Sequence, residues 1–317
     1  MLYGRFTFAS ELNTEAVLPP FKGSTFRGAF GVALKRVVCA LRRQECLNCL
    51  LNSRCVYSFF FEQKNGLSKG SKGDGSIPHP FVIEPPLTTR TRFQAGDALD
   101  FTLLLFGRAT EYLPYCVYAF DQMGQTGIGK HVNGRRAGFV LKEVRSGSSG
   151  ETIYSSQDRR LQRLNFSSEL RLPEPPAAGT RQITIHLETP LRVKQENHLT
   201  ADLPFHVLIR AALRRVSTLF THYGGGEPTL DYRGMVQRAQ TVEIVESDLR
   251  WVDWERYSNR QEIKMLMGGI SGSITYSGDI GEFLPVLRIC EEVHLGKQTT
   301  FGLGKIRIEL QELQELQ

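Results

Sequence analysis

The chain has 317 residues, 41% hydrophobic and 23% charged, an ordinary globular composition with room for two separate cores. Its 39 basic and 33 acidic residues leave a formal charge of +6, which suits a nucleic-acid partner without demanding one. No run approaches the roughly 18 apolar residues of a membrane span. The opening Met1-Leu-Tyr-Gly-Arg-Phe-Thr-Phe8 alternates like a strand and lacks the order of a signal peptide, so the expectation is a cytoplasmic protein with no membrane partner.

In chain order, residues 2–10 read as a strand and 25–42 as a helix, introduced by the turn Leu18-Pro-Pro-Phe-Lys-Gly-Ser-Thr25. A cysteine segment at 39–55 follows, then an apolar aromatic run at 56–61 that reads as a strand. Residues 63–79, rich in Gly, Ser and Lys, read as a loop. Strands near 80–84 and 98–106, a helix near 111–123, a glycine-rich turn at 124–134 and a strand at 138–144 complete a β-α-β-β-α-β order with extra strands or loops inserted.

The second half repeats that order. Strand 182–187, helix 204–222, strands 241–250 and 272–276, helix 282–292 and strand 305–310 succeed one another. Glu111-Tyr-Leu-Pro114 matches Glu282-Phe-Leu-Pro285, each preceded by a glycine at the same spacing, Gly107 and Gly278. Gly127-Ile-Gly-Lys130 matches Gly302-Leu-Gly-Lys305, and Ala33-Leu-Lys-Arg-Val37 matches Ala212-Leu-Arg-Arg-Val216. Three matches in one order predict an α+β fold of two tandem ferredoxin-like domains. Their expected bounds are 1–171 and 181–317, joined by a stiff Pro-rich linker at 172–180.

Six cysteines are present, and Cys39-x6-Cys46-x2-Cys49-x5-Cys55 places four of them within 17 residues. Clustering of this kind in a cytosolic chain points to metal before disulfides. Four thiolates can close a structural, tetrahedral zinc knuckle inserted in the first domain, and an iron–sulfur cluster takes the same ligand set. All four ligands would come from the protein, leaving no position open for catalysis. Cys116 and Cys290 fall at apolar helix positions and read as core.

The block Pro20-Phe-Lys-Gly-Ser-Thr-Phe-Arg-Gly-Ala-Phe-Gly31, the cysteines after it, the stretch Trp251-Val-Asp-Trp-Glu-Arg-Tyr-Ser-Asn-Arg-Gln261 and His294-Leu-Gly-Lys-Gln-Thr-Thr-Phe-Gly-Leu-Gly-Lys305 resemble the CRISPR-associated RAMP superfamily, closest to its precursor-crRNA-processing endoribonucleases. The superfamily carries a loop G-h-G-x5-G-h-G before its last strand. Gly296-x5-Gly302-Leu-Gly304 fits that form, with His294 where the first glycine would stand. The resemblance implies binding of CRISPR repeat RNA and its cleavage without a catalytic metal. The ribose 2′-hydroxyl would attack the adjacent phosphate, leaving a 2′,3′-cyclic phosphate and a 5′-hydroxyl. Many members carry a catalytic histidine in the first helix, and residues 25–42 contain none. The alternative is therefore a non-catalytic RAMP subunit that holds guide RNA among other CRISPR effector subunits.

The chemistry needs a group to take the 2′-hydroxyl proton, one to protonate the leaving oxygen and a cation on the phosphorane. Of the seven histidines, His294 opens the loop with Lys297 three residues on, so His294, Lys297 and Tyr257 are the catalytic candidates. A histidine capping a helix C-terminus is the bland reading of His294. The RNA-binding candidates are Gly296, Gly302, Gly304 and Lys305 in this loop, Lys130, Arg135 and Arg136 at its first-half counterpart, and Lys22 and Arg27 at the first helix.

Overall fold

The computed structural model describes residues 1–42, 44–62, 77–162, 167–176, 181–193, 201–258 and 263–311. The chain divides into two compact units, Met1–Glu169 with His222–Gly224, and Leu170–Thr221 with Gly225–Gln317. Most of the loop expected at 63–79 and part of the linker expected at 172–180 lie outside the described residues.

The first unit is built on strand β1 (Leu2–Leu12), where Phe6, Phe8, Ser10 and Leu12 point inward and alternate with half-exposed or exposed neighbours. There follow β2 (Ala16–Val17), α1 (Gly23–Val38), α2 (Val56–Phe61), β3 (Phe81–Glu84), β4 (Arg92–Phe93), β5 (Phe101–Phe106) and α3 (Leu113–Thr126). The unit continues with β6 (Ile128–Val132), β7 (Arg135–Ala137), β8 (Phe139–Ser146), β9 (Thr152–Ser155), β10 (Arg160–Leu161) and β11 (Ser168–Glu169). The main sheet runs β10-β9-β8-β1-β5-β3, with β11 added beside β1. Helices α1 and α3 meet through Phe30 and Phe120, stacked at 4.5 Å, and Phe26 and Phe120 lie 5.0 and 4.6 Å from Phe101 of the sheet.

Two sequence expectations fail here for packing reasons. The first helix stops at Val38, because Cys39 is already extended. The run 56–61, expected as a strand, is helix α2. A short apolar run cannot distinguish the two by periodicity alone. The helical spacing stacks Tyr57 on Phe61 at 5.2 Å and buries Val56 and Phe60 together, with Phe60 reaching Phe81 at 5.5 Å. The turn expected at 124–134 also proves more regular. Asn133 and Gly134, both at positive φ, close a β6–β7 hairpin.

The second unit contains β12 (Gln182–Leu191), α4 (Phe205–Tyr223), α5 (Tyr232–Arg238), β13 (Glu243–Ser247), β14 (Arg250–Ser258), β15 (Ile263–Ser277), α6 (Leu284–Val293) and β16 (Ile306–Leu310). Its sheet runs β13-β15-β12-β16, and β14 pairs along β15 from Arg250↔Ser271 onward. The strand expected at 272–276 is only the end of β15. The short helix α5, unannounced by periodicity, is capped by the Asp231 carboxylate accepting from the Gly234 amide at 2.9 Å. Phe205 packs on Tyr276 at 4.9 Å and Phe283 at 5.2 Å in this core.

In both units the strands that answer to the β-α-β-β-α-β positions lie in the order fourth, first, third, second: β8-β1-β5-β3 and β16-β12-β15-β13. Pro114 and Pro285 both sit in the first turn of their helices, where a missing N–H costs nothing. Every pairing in both sheets is antiparallel, so the fold is mixed α+β. Among the described residues, no helix is long and apolar enough to cross a membrane.

Lys22 is a further correction. Expected at an RNA-facing surface, it is fully buried beside the start of α1. Its ammonium donates to the carbonyls of Pro20 at 3.1 Å and Thr88 at 2.5 Å and lies 5.5 Å from the centre of the Phe93 ring. Burial lowers its pKa from 10.5 to about 8. Between those values the unfolded chain binds more protons than the folded one, so this group's contribution to stability rises with pH across that window. We expect wild-type stability to gain on that of Lys22→Met from pH 8 to pH 10.5 in urea titrations. Parallel curves would refute a lysine titrating in this site.

Candidate nucleic-acid interface

The glycine-rich loop begins where α6 ends. The buried Arg215 of α4 donates from Nη2 to the Val293 carbonyl at 2.7 Å and from Nε to that of His294 at 3.2 Å, satisfying the last turn of the helix. His294 is the C-cap of α6 with φ 63° and ψ 158°, a backbone state that in α3 belongs to Gly127 at φ 83° and ψ 159°. A side chain in this region is strained by roughly 1–3 kcal/mol and needs compensation. The imidazole supplies it: His294 is fully buried, and its Nδ1–H donates to the Leu303 carbonyl at 3.0 Å. His294 is thus the C-cap by its backbone alone, its ring bonding the loop rather than the helix end, and the ring is shut away from solvent.

The loop folds onto its own backbone. The Leu295 amide donates to the Gly304 carbonyl at 2.8 Å, the Gly304 amide to Pro190 at 3.0 Å and the Lys297 amide to Arg192 at 2.9 Å. Thr189 ties both ends, its hydroxyl donating to the Gly302 carbonyl and accepting from the Lys305 amide, each at 2.8 Å. These amides are engaged inside the protein, so they form no open phosphate cradle. The glycines answer to close packing instead. A Cβ on Gly304, at φ 73°, would stand 1.7 Å from the Leu295 carbonyl oxygen. Gly302 and Gly304 are buried, Gly296 is half-buried, and the half-buried Lys305 has its ammonium 3.4 Å from Glu188. Of the loop's cations, Lys297 is the exposed one.

Beside Lys297 stand two residues absent from the sequence-derived site. Arg192, just beyond β12, donates from Nη1 to the Gly268 carbonyl, and Arg256 of β14 lies over the Phe301 ring, 5.0 Å from its centre. Both are half-buried, and the Nε of each is buried without a hydrogen-bond partner. Burial lowers the pKa of Arg192, as does the charge of Arg256, while Asp253 opposes them; burial alone lowers that of Arg256. Two desolvated guanidinium groups that repel one another, with unsatisfied donors, form a site that an anion would relieve. Arg256 was visible only as part of the Trp251–Gln261 stretch. Arg192 had no signal, because its neighbours are brought to it by the loop.

The remaining candidates scatter. Lys130, Arg135 and Arg136 are exposed with His131 on the β6–β7 hairpin of the first unit, a basic tip. Arg27 is half-buried, its guanidinium 5.1 Å from the centre of the Phe61 ring. The Tyr257 backbone pairs with Lys264, and its side chain lies outside the described residues. Cys116 and Cys290 are buried core thiols. Cys39, Cys46, Cys49 and Cys55 are free and half-buried, but among the described residues no three His, Cys, Asp or Glu side chains form a group able to hold a metal ion. The expected zinc knuckle is therefore not formed as a single-ion cage: two 3₁₀ turns, Cys46–Asn48 and Asn52–Arg54, separate the thiols around a shared cavity.

An antiparallel α+β chain with a glycine-rich loop ahead of its last strand has the build of a RAMP-type protein. Over residues 1–166 the chain carries the N-terminal domain of the AF_1859_N family, and residues 185–306 match the family model of the CRISPR-associated endoribonuclease Cas6. A protein of Archaeoglobus fulgidus described as uncharacterized is 27% identical over 300 residues, 92% of each chain. Thermus thermophilus Cas6 shares the fold at 13% identity with a TM-score of 0.54, over 97% of this chain and 98% of that one. A Cas6 product complex matches at 14% identity with a TM-score of 0.57, over 97% and 99%. A partial Cas6-RT-Cas1–Cas2 complex matches at 14% identity with a TM-score of 0.56, over 98% of this chain; the chain spans 46% of that longer protein.

Gly304→Ala is expected to lower stability by about 2–4 kcal/mol, through the Leu295 clash and the positive φ together. Chemical denaturation measures it, and a change below about 0.5 kcal/mol would mean the loop repacks freely.

Proposed function

We propose that the chain is an endoribonuclease that cuts CRISPR repeat precursor RNA into guide RNA, and that its second unit grips the RNA backbone at Arg192, Arg256 and Lys297. The observation that carries this reading is the pair of half-buried arginines with unpartnered Nε atoms beside the exposed Lys297. Guanidinium groups match phosphate geometry, and a desolvated pair favours the extra charge of a phosphorane over the ground-state phosphate. The cleavage is metal-independent attack by the 2′-hydroxyl, leaving a 2′,3′-cyclic phosphate and a 5′-hydroxyl. Lys297 and Tyr257 are the proton-transfer candidates in this scheme. The enclosed His294 holds the loop in shape, and Gly296, Gly302, Gly304 and Lys305 act through that shape. The exposed Lys130, Arg135 and Arg136 add backbone contacts from the first unit, with Arg27 a further candidate there.

The common strand order of the two sheets supports reading the chain as tandem ferredoxin-like domains, 1–171 and 181–317 with a linker at 172–180. RNA partners and other CRISPR proteins, met in the cytoplasm, are part of this reading, supported by the Cas6 model match and the Cas6-RT-Cas1–Cas2 likeness. A second reading, a non-catalytic subunit that retains guide RNA, is favoured by the absence of histidine from α1 and the burial of His294.

Incubation with repeat RNA in EDTA separates these. Scission ending in a cyclic phosphate supports the enzyme, tight binding without scission supports the subunit, and neither result overturns both. The Arg192→Ala, Arg256→Ala double variant is expected to weaken RNA binding at least tenfold and to flatten the salt dependence by about two counterions. Unchanged binding would remove the arginine pair from the interface.

A further inference from the structure

Among its described residues, the segment from Cys39 to Cys55 has no apolar core of its own. Neither of its 3₁₀ turns contains a buried residue, and its leucines face outward, Leu47 at 60%, Leu50 at 86% and Leu51 at 45% exposure. The described side chains that turn inward are the four cysteines and Asn52, whose amide donates to the Cys46 carbonyl at 2.5 Å and to the Ser58 hydroxyl at 2.9 Å. Ordering a residue costs about 1–2 kcal/mol of backbone entropy, and one side-chain amide does not offset that over a segment this long. Local backbone bonds such as Asn52 to Cys49 and Cys55 to Asn52 add to it, and a group bound at the thiols would supply the core that the segment lacks, as metals do in small domains.

All four cysteines line one open pocket, shared with Leu41, Gln44, Asn52, Tyr57 and Ser58. The Lys35 ammonium lies 5.3 Å from the centre of the ring of Tyr57, which lines the same pocket, placing a cation near the thiols. A single zinc ion holds sulfurs about 2.3 Å from one centre, hence roughly 4 Å from each other. The described residues contain no group able to hold one ion. A cubane cluster uses the same four ligands differently, one cysteine on each iron at separate corners, and so accepts thiolates spread around a cavity.

We propose that Cys39, Cys46, Cys49 and Cys55 bind a four-iron, four-sulfide cluster that serves as the core of this segment and fixes the junction between α1 and α2. The cluster is structural, with each iron filled by one protein thiolate. It lies wholly within the first unit, and the proposal is independent of the RNA site.

The test is elemental and spectroscopic, on the full chain purified without oxygen from iron-replete cells. About four iron and four acid-labile sulfide per chain are expected, with a broad visible absorption that dithionite bleaches. Cys49→Ser should abolish the absorption, and Cys116→Ser, in the apolar core, should leave it intact. Should Cys49→Ser fail to fold, the wild-type iron and sulfide content still decides. One zinc per chain without iron would overturn the cluster in favour of a single ion. A metal-free chain that resists proteolysis across 39–55, and takes up no cluster when given ferrous iron and sulfide, would overturn metal binding altogether.

Discussion

The second unit depends on a contact that tolerates no side chain, the approach of Gly304 to the Leu295 carbonyl. Leu295 and Gly304 close the loop backbone to backbone, with the amide–carbonyl bond at 2.8 Å and no room for a Cβ. With the ring closed, the Leu303 carbonyl comes within reach of His294, and the Thr189 hydroxyl bridges Gly302 to Lys305. That bridge delivers β16 to β12 in the register Leu187↔Ile306 through Ile183↔Leu310. It also brings the Lys297 amide onto the Arg192 carbonyl, which assembles the cationic site.

The two copies of the duplicated pattern diverge from the same starting point. Each second helix ends on a residue with positive φ and extended ψ, Gly127 in one unit and His294 in the other. In the first unit the chain continues into a solvent-facing hairpin with Lys130, His131, Arg135 and Arg136 at its tip. In the second it coils inward, with Gln298 and Gly302 in left-handed states around a 3₁₀ turn. Histidine in the glycine position is sustained because its ring gains a buried hydrogen bond and Arg215 holds its carbonyl.

Charge is handled differently in the two cores. Lys22 is fully buried against carbonyls and an aromatic ring, so its positive charge serves the turn before α1. Arg192 and Arg256 each keep a buried Nε unused, and the charge of Arg256 disfavours that of Arg192.

The sequence alone determined the features that repeat or alternate. Two-residue alternation in β1, the paired Glu-x-Leu-Pro helix starts, the two glycine-lysine turns and the cysteine spacing are local patterns, and local patterns survive in a string of letters. The α+β class and the family resemblance were legible from such patterns. Tertiary structure decided the rest, because burial is a property of what arrives from elsewhere in the chain. It made residues 56–61 a helix by offering Phe81 and Phe30 as partners, enclosed Lys22 and His294, and packed Gly296 and Gly304 tightly against neighbouring backbone. Arg192 and Arg256, 64 positions apart in the chain, became one site only when β12, β14 and the closed loop met.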